Sequence, residues 1–199
     1  MIDNLFARLP RFVAGRDLDT PTAIRLVART RVGPVAYLHV IYKPAEEEIV
    51  REVFGKIRAP PSLRRLYALC NGASLFSGAI RIFGCVAAGT LLDRRNPLSL
   101  PPLDIVKSNR QFVDPERFQR QVCIGAYGFD RSLVCVDRNI EMVTCYEGEE
   151  FKRTRKKWPT VDSWITGEID RLSMLFSDEG ERLVSENFCL PGSDEARLS

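Results

Sequence analysis

The chain has 199 residues, a net charge of +3, 45% hydrophobic and 28% charged residues, which suits one globular domain, with or without extensions. A chain this long buries about 70% of the surface that its unfolded form exposes, so it needs no disulfide or metal staple. No apolar run nears the ~18 residues of a membrane span, and Met1-Ile2-Asp3-Asn4 does not lead from a basic segment into an apolar one, so a cytoplasmic protein with no membrane partner is expected.

Leu5, Phe6 and Leu9 suggest a short N-terminal helix. Thr20-Pro21 reads as a helix start, with Ile24, Val27 and Ala28 at helical spacing and Gly33-Pro34 as the stop. Val35 to Tyr42 reads as a strand that is apolar on both faces, hence central or covered. Residues 1–43 thus form a helix–strand extension. Pro44 opens a helix whose first turn holds Glu46, Glu47 and Glu48, where negative charge suits the helix dipole, and Gly55 should end it.

Pro60 to Gly72 is the most informative stretch. Leu63, Leu66, Tyr67 and Cys70 follow the i, i+3, i+4, i+7 rule, and Gly72 suits a left-handed cap. A short linker leads to the strand Ala79–Phe83, which ends at Gly84. The prolines between Arg94 and Pro102 predict an exposed loop, and Leu103 to Phe112 a short helix. From Val122 the period becomes two. Val122–Ile124 and Ser132–Val136 read as strands joined by a glycine-rich connection, and Asp137-Arg138-Asn139 turns the chain into a hairpin partner ending at Tyr146. The Lys152–Lys157 cluster reads as a solvated loop paired with its acidic neighbours. Asp162 reads as the cap of a final helix bearing Trp164, Ile165, Ile169, Leu172 and Phe176; residues 177–199 hold one more short helix candidate and a polar tail.

Catalytic chemistry finds little support. The one histidine, His39, sits in an apolar strand, where packing outweighs catalysis. Six cysteines include no C-x-x-C pair, so no zinc site is expected. Gly84-x-x-x-x-Gly89 is followed by Thr90 where a phosphate loop needs lysine. No cofactor is expected, and neither is nucleic acid. The basic excess lies in residues 1–43, with seven basic and three acidic groups, whereas residues 44–199 carry 22 basic and 23 acidic groups.

Four features occur in order: the Glu-rich helix Glu46–Phe54; Pro61-Ser62-Leu63-x-x-Leu66-Tyr67-x-x-x-Asn71-Gly72 running into Ile80-x-Ile82-Phe83-Gly84; Ile124-Gly125-x-x-Gly128-x-Asp130-x-Ser132-Leu133-Val134-x-Val136-Asp137; and a helix led by Ser163-Trp164-Ile165. Together these resemble the SMI1/KNR4 family of the SUKH superfamily over residues 44–176. The resemblance implies an α+β fold, a mixed, curved, antiparallel-rich sheet with helices packed on it. It also implies a non-enzymatic protein-binding module: in bacteria an immunity protein that occludes a secreted toxin domain, or alternatively a scaffold unlinked to any toxin. Asn71, Gly72, Gly84, Gly125, Asp137 and Trp164 are then scaffold residues. Expected partner contacts are the acidic clusters Glu46, Glu47, Glu48 and Glu147, Glu149, Glu150, with the loop residues Arg94 and Arg95.

Overall fold

A computed structural model describes residues 9, 18–19, 24–29, 37–87, 101–112, 119–148, 153–177, 180–185 and 189–192. Among the described residues, nine strands follow one another across a single sheet in chain order: β1 (Leu18–Asp19), β2 (Ile24–Arg29), β3 (Tyr37–Tyr42), β4 (Ala73–Leu75), β5 (Ile80–Ile82), β6 (Gln121–Tyr127), β7 (Leu133–Asp137), β8 (Val143–Tyr146) and β9 (Thr154–Trp158). Every neighbouring pair is antiparallel. The architecture is therefore α+β with an antiparallel sheet rather than a mixed one. Helices α1 (Glu47–Ile57) and α2 (Pro61–Leu69) fill the β3–β4 connection, α3 (Ile105–Phe112) lies between β5 and β6, and α4 (Val161–Ser173) follows β9. No helix among the described residues is long and apolar enough to cross a membrane.

Several elements differ from the expectation, each for a local reason. The segment read as a helix after Pro21 is strand β2, with Ile24 opposite Tyr42 and Arg29 opposite Tyr37. Its sequence, Ile-Arg-Leu-Val-Ala-Arg, fits period two as well as helical spacing, and β3 supplies the partner that decides. Helix α1 runs through Gly55 to a left-handed Arg58 (φ 48°). Stopping at Gly55 would leave Ile57, now 1% exposed, outside the core. The linker after Gly72 is β4, the connection after Ile124 continues β6 to Tyr127, and the Lys/Arg cluster is β9. Trp158, 6% exposed, anchors that charged strand. The last helix is capped by Thr160, whose side chain accepts from Ser163 N–H while Ser163 returns a bond to Thr160 N–H; Asp162 lies in the first turn instead. That helix ends at Ser173, before Phe176, which packs on Phe76 at a ring distance of 5.2 Å. Among the described residues of 177–199 there is a bridge between Phe176 and Arg182 and no α-helix. The N-terminal helix around Leu5 and the 94–100 part of the loop lie outside the described residues, although Leu9 is buried.

The two sheet faces have different covers. Trp164 of α4 is fully buried, stands against Gly125, and donates its Nε1–H to the Tyr127 hydroxyl at 3.4 Å. A Cβ at Gly125 would sit 3.3 Å from that indole and 2.6 Å from the Arg81 carbonyl, so only glycine lets α4 lie this close. Helix α3 is pinned to β6 by Asn109, which donates to the Ile105 and Cys123 carbonyls and accepts from Cys123 N–H. On α1 and α2, Phe54 meets Tyr67 edge to face at 5.3 Å, and the Tyr67 hydroxyl donates to the Phe83 carbonyl at 2.6 Å. The strand read as central is so: Leu38 and His39 are fully buried and Ile41 is 4% exposed.

Candidate functional site

The register of β5, β6 and β7 builds the site. Arg81 lies opposite Ala126, and Ala126 opposite Leu133. Alternation along each strand puts this row on the face away from Gly125 and Trp164. In β5 the apolar Ile80 and Ile82 are buried and Arg81 between them is exposed. Helix α3 lies alongside the same row and contributes Lys107, Ser108 and Gln111. The result is an open groove of about 730 Å³ between sheet and helix. Phe83, Ala126 and Leu133 lie along it, and Arg131, from the β6–β7 turn, joins its rim.

Three cationic side chains, Arg81, Lys107 and Arg131, face one carboxylate, Asp104. That carboxylate is already engaged, since its Oδ1 accepts from the Val106 and Lys107 N–H groups at the start of α3. Arg81 and Lys107 have no ion-pair partner among the described residues. Gly78, in the turn that leads to β5, adopts φ 90°, a conformation that favours glycine.

A second groove of about 460 Å³ runs between α1 and α2, where Val50, Phe54, Tyr67 and Ala68 meet the charged Glu47, Arg51 and Arg64.

The acidic clusters expected to meet a partner are arranged differently. Glu46 is the cap position of α1 and its carbonyl accepts from Val50 N–H. Glu47 forms an i,i+4 pair with Arg51 at 3.1 Å, and Glu48 stays exposed in the first turn. Glu147 sits at the β8–β9 turn, 3.3 Å from Arg155, which also holds Asp130 at 2.7 Å and donates to the Ser132 hydroxyl. Arg155 has no cross-strand partner, because the β8–β9 register shifts between Cys145 and Tyr146. That bulge aims it across the sheet end at Asp130. Glu149, Glu150, Arg94 and Arg95 lie outside the described residues.

The residues expected to be scaffold are embedded in the frame. The Asn71 side chain latches the Cys85 backbone in both directions, at 2.6 and 2.9 Å. Gly72 adopts φ 90°, three residues beyond the last helical residue, Leu69, rather than directly at the cap, and a Cβ there would press on the Ile82 carbonyl. Gly84 bridges to Asp104 and so ties β5 to the start of α3. Asp137 accepts from the Asn139 and Ile140 N–H groups and shapes the β7–β8 turn.

The titratable groups inside the fold are held inert. His39 Nδ1 accepts from Phe76 N–H, and burial lowers its pKa to about 3, so the ring is neutral. Burial pushes the thiols of Cys70 and Cys85 up to about 12, with the Asp104 charge adding to the effect at Cys85. Such thiols are poor nucleophiles.

Arg81 and Lys107 were not among the expected contact residues. A signal existed for Arg81, a charged residue between two isoleucines at period two, but Lys107 carries none of its own. No family model, no curated protein and no solved structure matches this chain.

Proposed function

We propose that this chain is a non-enzymatic protein-binding module of the SMI1/KNR4 type, cytoplasmic, and in particular a bacterial immunity protein that neutralises a cognate toxin by occluding it. A single observation carries the reading. A groove lies on the sheet, its cations Arg81 and Lys107 are left without ion-pair partners among the described residues, and Asn71, Gly72 and Gly125 have close backbone or packing contacts that account for them as frame residues. Such a groove offers an apolar centre with charged surroundings, the composition of a protein interface. Occlusion of a toxin would bury roughly 1,200–2,000 Å² in total. The curved sheet of the family belongs to this proposal.

The test is co-expression with the product of the adjacent gene. A toxic product whose toxicity disappears when this chain is present, together with a co-purifying complex, is the expected result. A chain that neither binds nor rescues would end the immunity reading.

A scaffold unlinked to toxins is the second reading. The separate α1–α2 groove favours it, because two docking surfaces on one frame suit a protein that holds two partners. It predicts that substitutions in one groove leave binding at the other intact.

A further inference from the structure

We infer that the groove over β5–β7 docks an acidic segment of the protein partner, with carboxylates on Arg81 and Lys107 and an apolar side chain against Ala126 and Leu133. This rests on the protein-binding reading and deepens it by assigning the surface and the partner's chemistry. It also moves the contact away from the residues expected from the sequence, the glutamate clusters and the loop arginines Arg94 and Arg95.

Three observations support it. First, the groove cations Arg81 and Lys107 are unanswered among the described residues, while two of the glutamates expected to meet a partner are paired within the chain. Glu47 is bound to Arg51 and Glu147 to Arg155, whereas Arg81 and Lys107 have no ion-pair partner among the described residues. The groove's own carboxylate, Asp104, is held by backbone N–H groups of α3. Second, the two cations come from different elements, one from a strand and one from a helix, and each element is fixed. Asn109 bonds α3 to β6, and the Arg81 row is held in the ladder on both sides. A planar guanidinium on a rigid strand favours two-point recognition of a carboxylate. Third, the surrounding charge argues against a polyphosphate. Residues 44–199, which supply the groove, carry 22 basic and 23 acidic groups, so this part of the chain has no net positive charge of the kind that tracks a nucleic-acid backbone. A local pair of cations beside an apolar floor fits a short acidic stretch carrying leucine or phenylalanine.

The experiment titrates the ¹⁵N-labelled full chain with the blocked peptide Glu-Glu-Phe-Asp-Glu-Leu at low salt. Saturable amide shifts confined to Arg81, Lys107, Ala126 and Leu133 are expected, and the affinity should fall steeply with added salt. The amide-for-acid peptide and the R81Q/K107Q chain should each bind about tenfold more weakly, while R51Q/R64Q in the α1–α2 groove should bind unchanged. Absence of saturable shifts, shifts centred elsewhere, or equal binding of the neutral peptide would overturn the inference. So would tighter binding at the same residues by single-stranded RNA or by phosphatidylserine vesicles. The R81Q/K107Q chain is then carried into the co-expression assay. Undiminished rescue would remove this docking surface and leave the immunity reading standing, whereas failure of the unaltered chain to rescue would remove that reading alone.

Discussion

The first turn of α1 and the groove over β5–β7 make an instructive pair. In sequence the first is the conspicuous charge cluster, three consecutive glutamates, while the second is a lone arginine and a lone lysine 26 positions apart. In the fold the ranking inverts. Arg51 neutralises Glu47 one helical turn away, and Lys56 does the same for Glu52, so the helix answers part of its own charge. Arg81 and Lys107 are brought to one concavity by strand register and helix placement, and neither has an ion-pair partner among the described residues. A conspicuous charge run in the sequence is thus partly paired within its own helix, whereas Arg81 and Lys107 are gathered by topology and stay unpaired among the described residues.

The largest expected effects come from titratable groups that the fold encloses altogether. His39 binds a proton near pH 6.5 when unfolded and only near pH 3 when folded. Between those values the unfolded chain holds the extra proton, so stability falls with acidification by about 1.4 kcal/mol per pH unit. Denaturation midpoints measured from pH 7 to 4 should show that slope, and His39→Phe should flatten it.

Next comes the enclosed pair of α4. Glu168, 1% exposed, accepts from Arg171, whose guanidinium also donates to the Cys189 carbonyl. Glu168→Leu alone should cost roughly 3–5 kcal/mol by stranding the guanidinium, and Glu168→Leu with Arg171→Met should recover most of it. Guanidinium melts of the single and double variants decide; equal losses in both would show that the cost is not electrostatic.

Asn109→Ala sharpens the comparison at the groove wall. It strands the Cys123 N–H and carbonyl that the side chain serves, at about 2–3 kcal/mol. Hydrogen exchange should accelerate at the Cys123 amide and along α3 while β8 and β9 stay protected.

The two surfaces themselves should scarcely register in stability. R81Q/K107Q should shift the unfolding free energy by no more than about 0.5 kcal/mol, as expected for side chains with no internal partner. Glu47→Gln should cost about 0.3–0.5 kcal/mol at low salt and nothing measurable at high salt. A large loss in R81Q/K107Q would mean that these cations stabilise the fold after all, and the contrast between the regions would collapse.

Much of the frame was legible because its signals are local. The apolar stripe of α2, the acidic start of α1, the helix after Leu103 and the Asp137 turn each state themselves within a dozen residues. What escaped depended on partners distant in sequence. Ile24, Val27 and Ala28 satisfy a helical spacing, and only the β3 ladder makes them a strand. Thr154–Trp158 is charged enough to read as a loop, yet β8 supplies its hydrogen bonds and a pocket for Trp158. The candidate site escaped for the same reason: Lys107 becomes a neighbour of Arg81 only after β5, α3 and β6 are laid side by side.

The bulge at Arg155 also bears on how this molecule behaves in a crowd. A terminal strand of regular pleat is a template on which a second molecule can grow a tenth strand, the first step toward fibrils. Here that strand is interrupted at Arg155, carries Lys156 and Lys157, and has Gly192 packed beside its Arg155 carbonyl. The tail that Arg171 fastens at Cys189 thus doubles as a guard rail, and a chain cut short before Cys189 would be expected to lose solubility before it loses its fold.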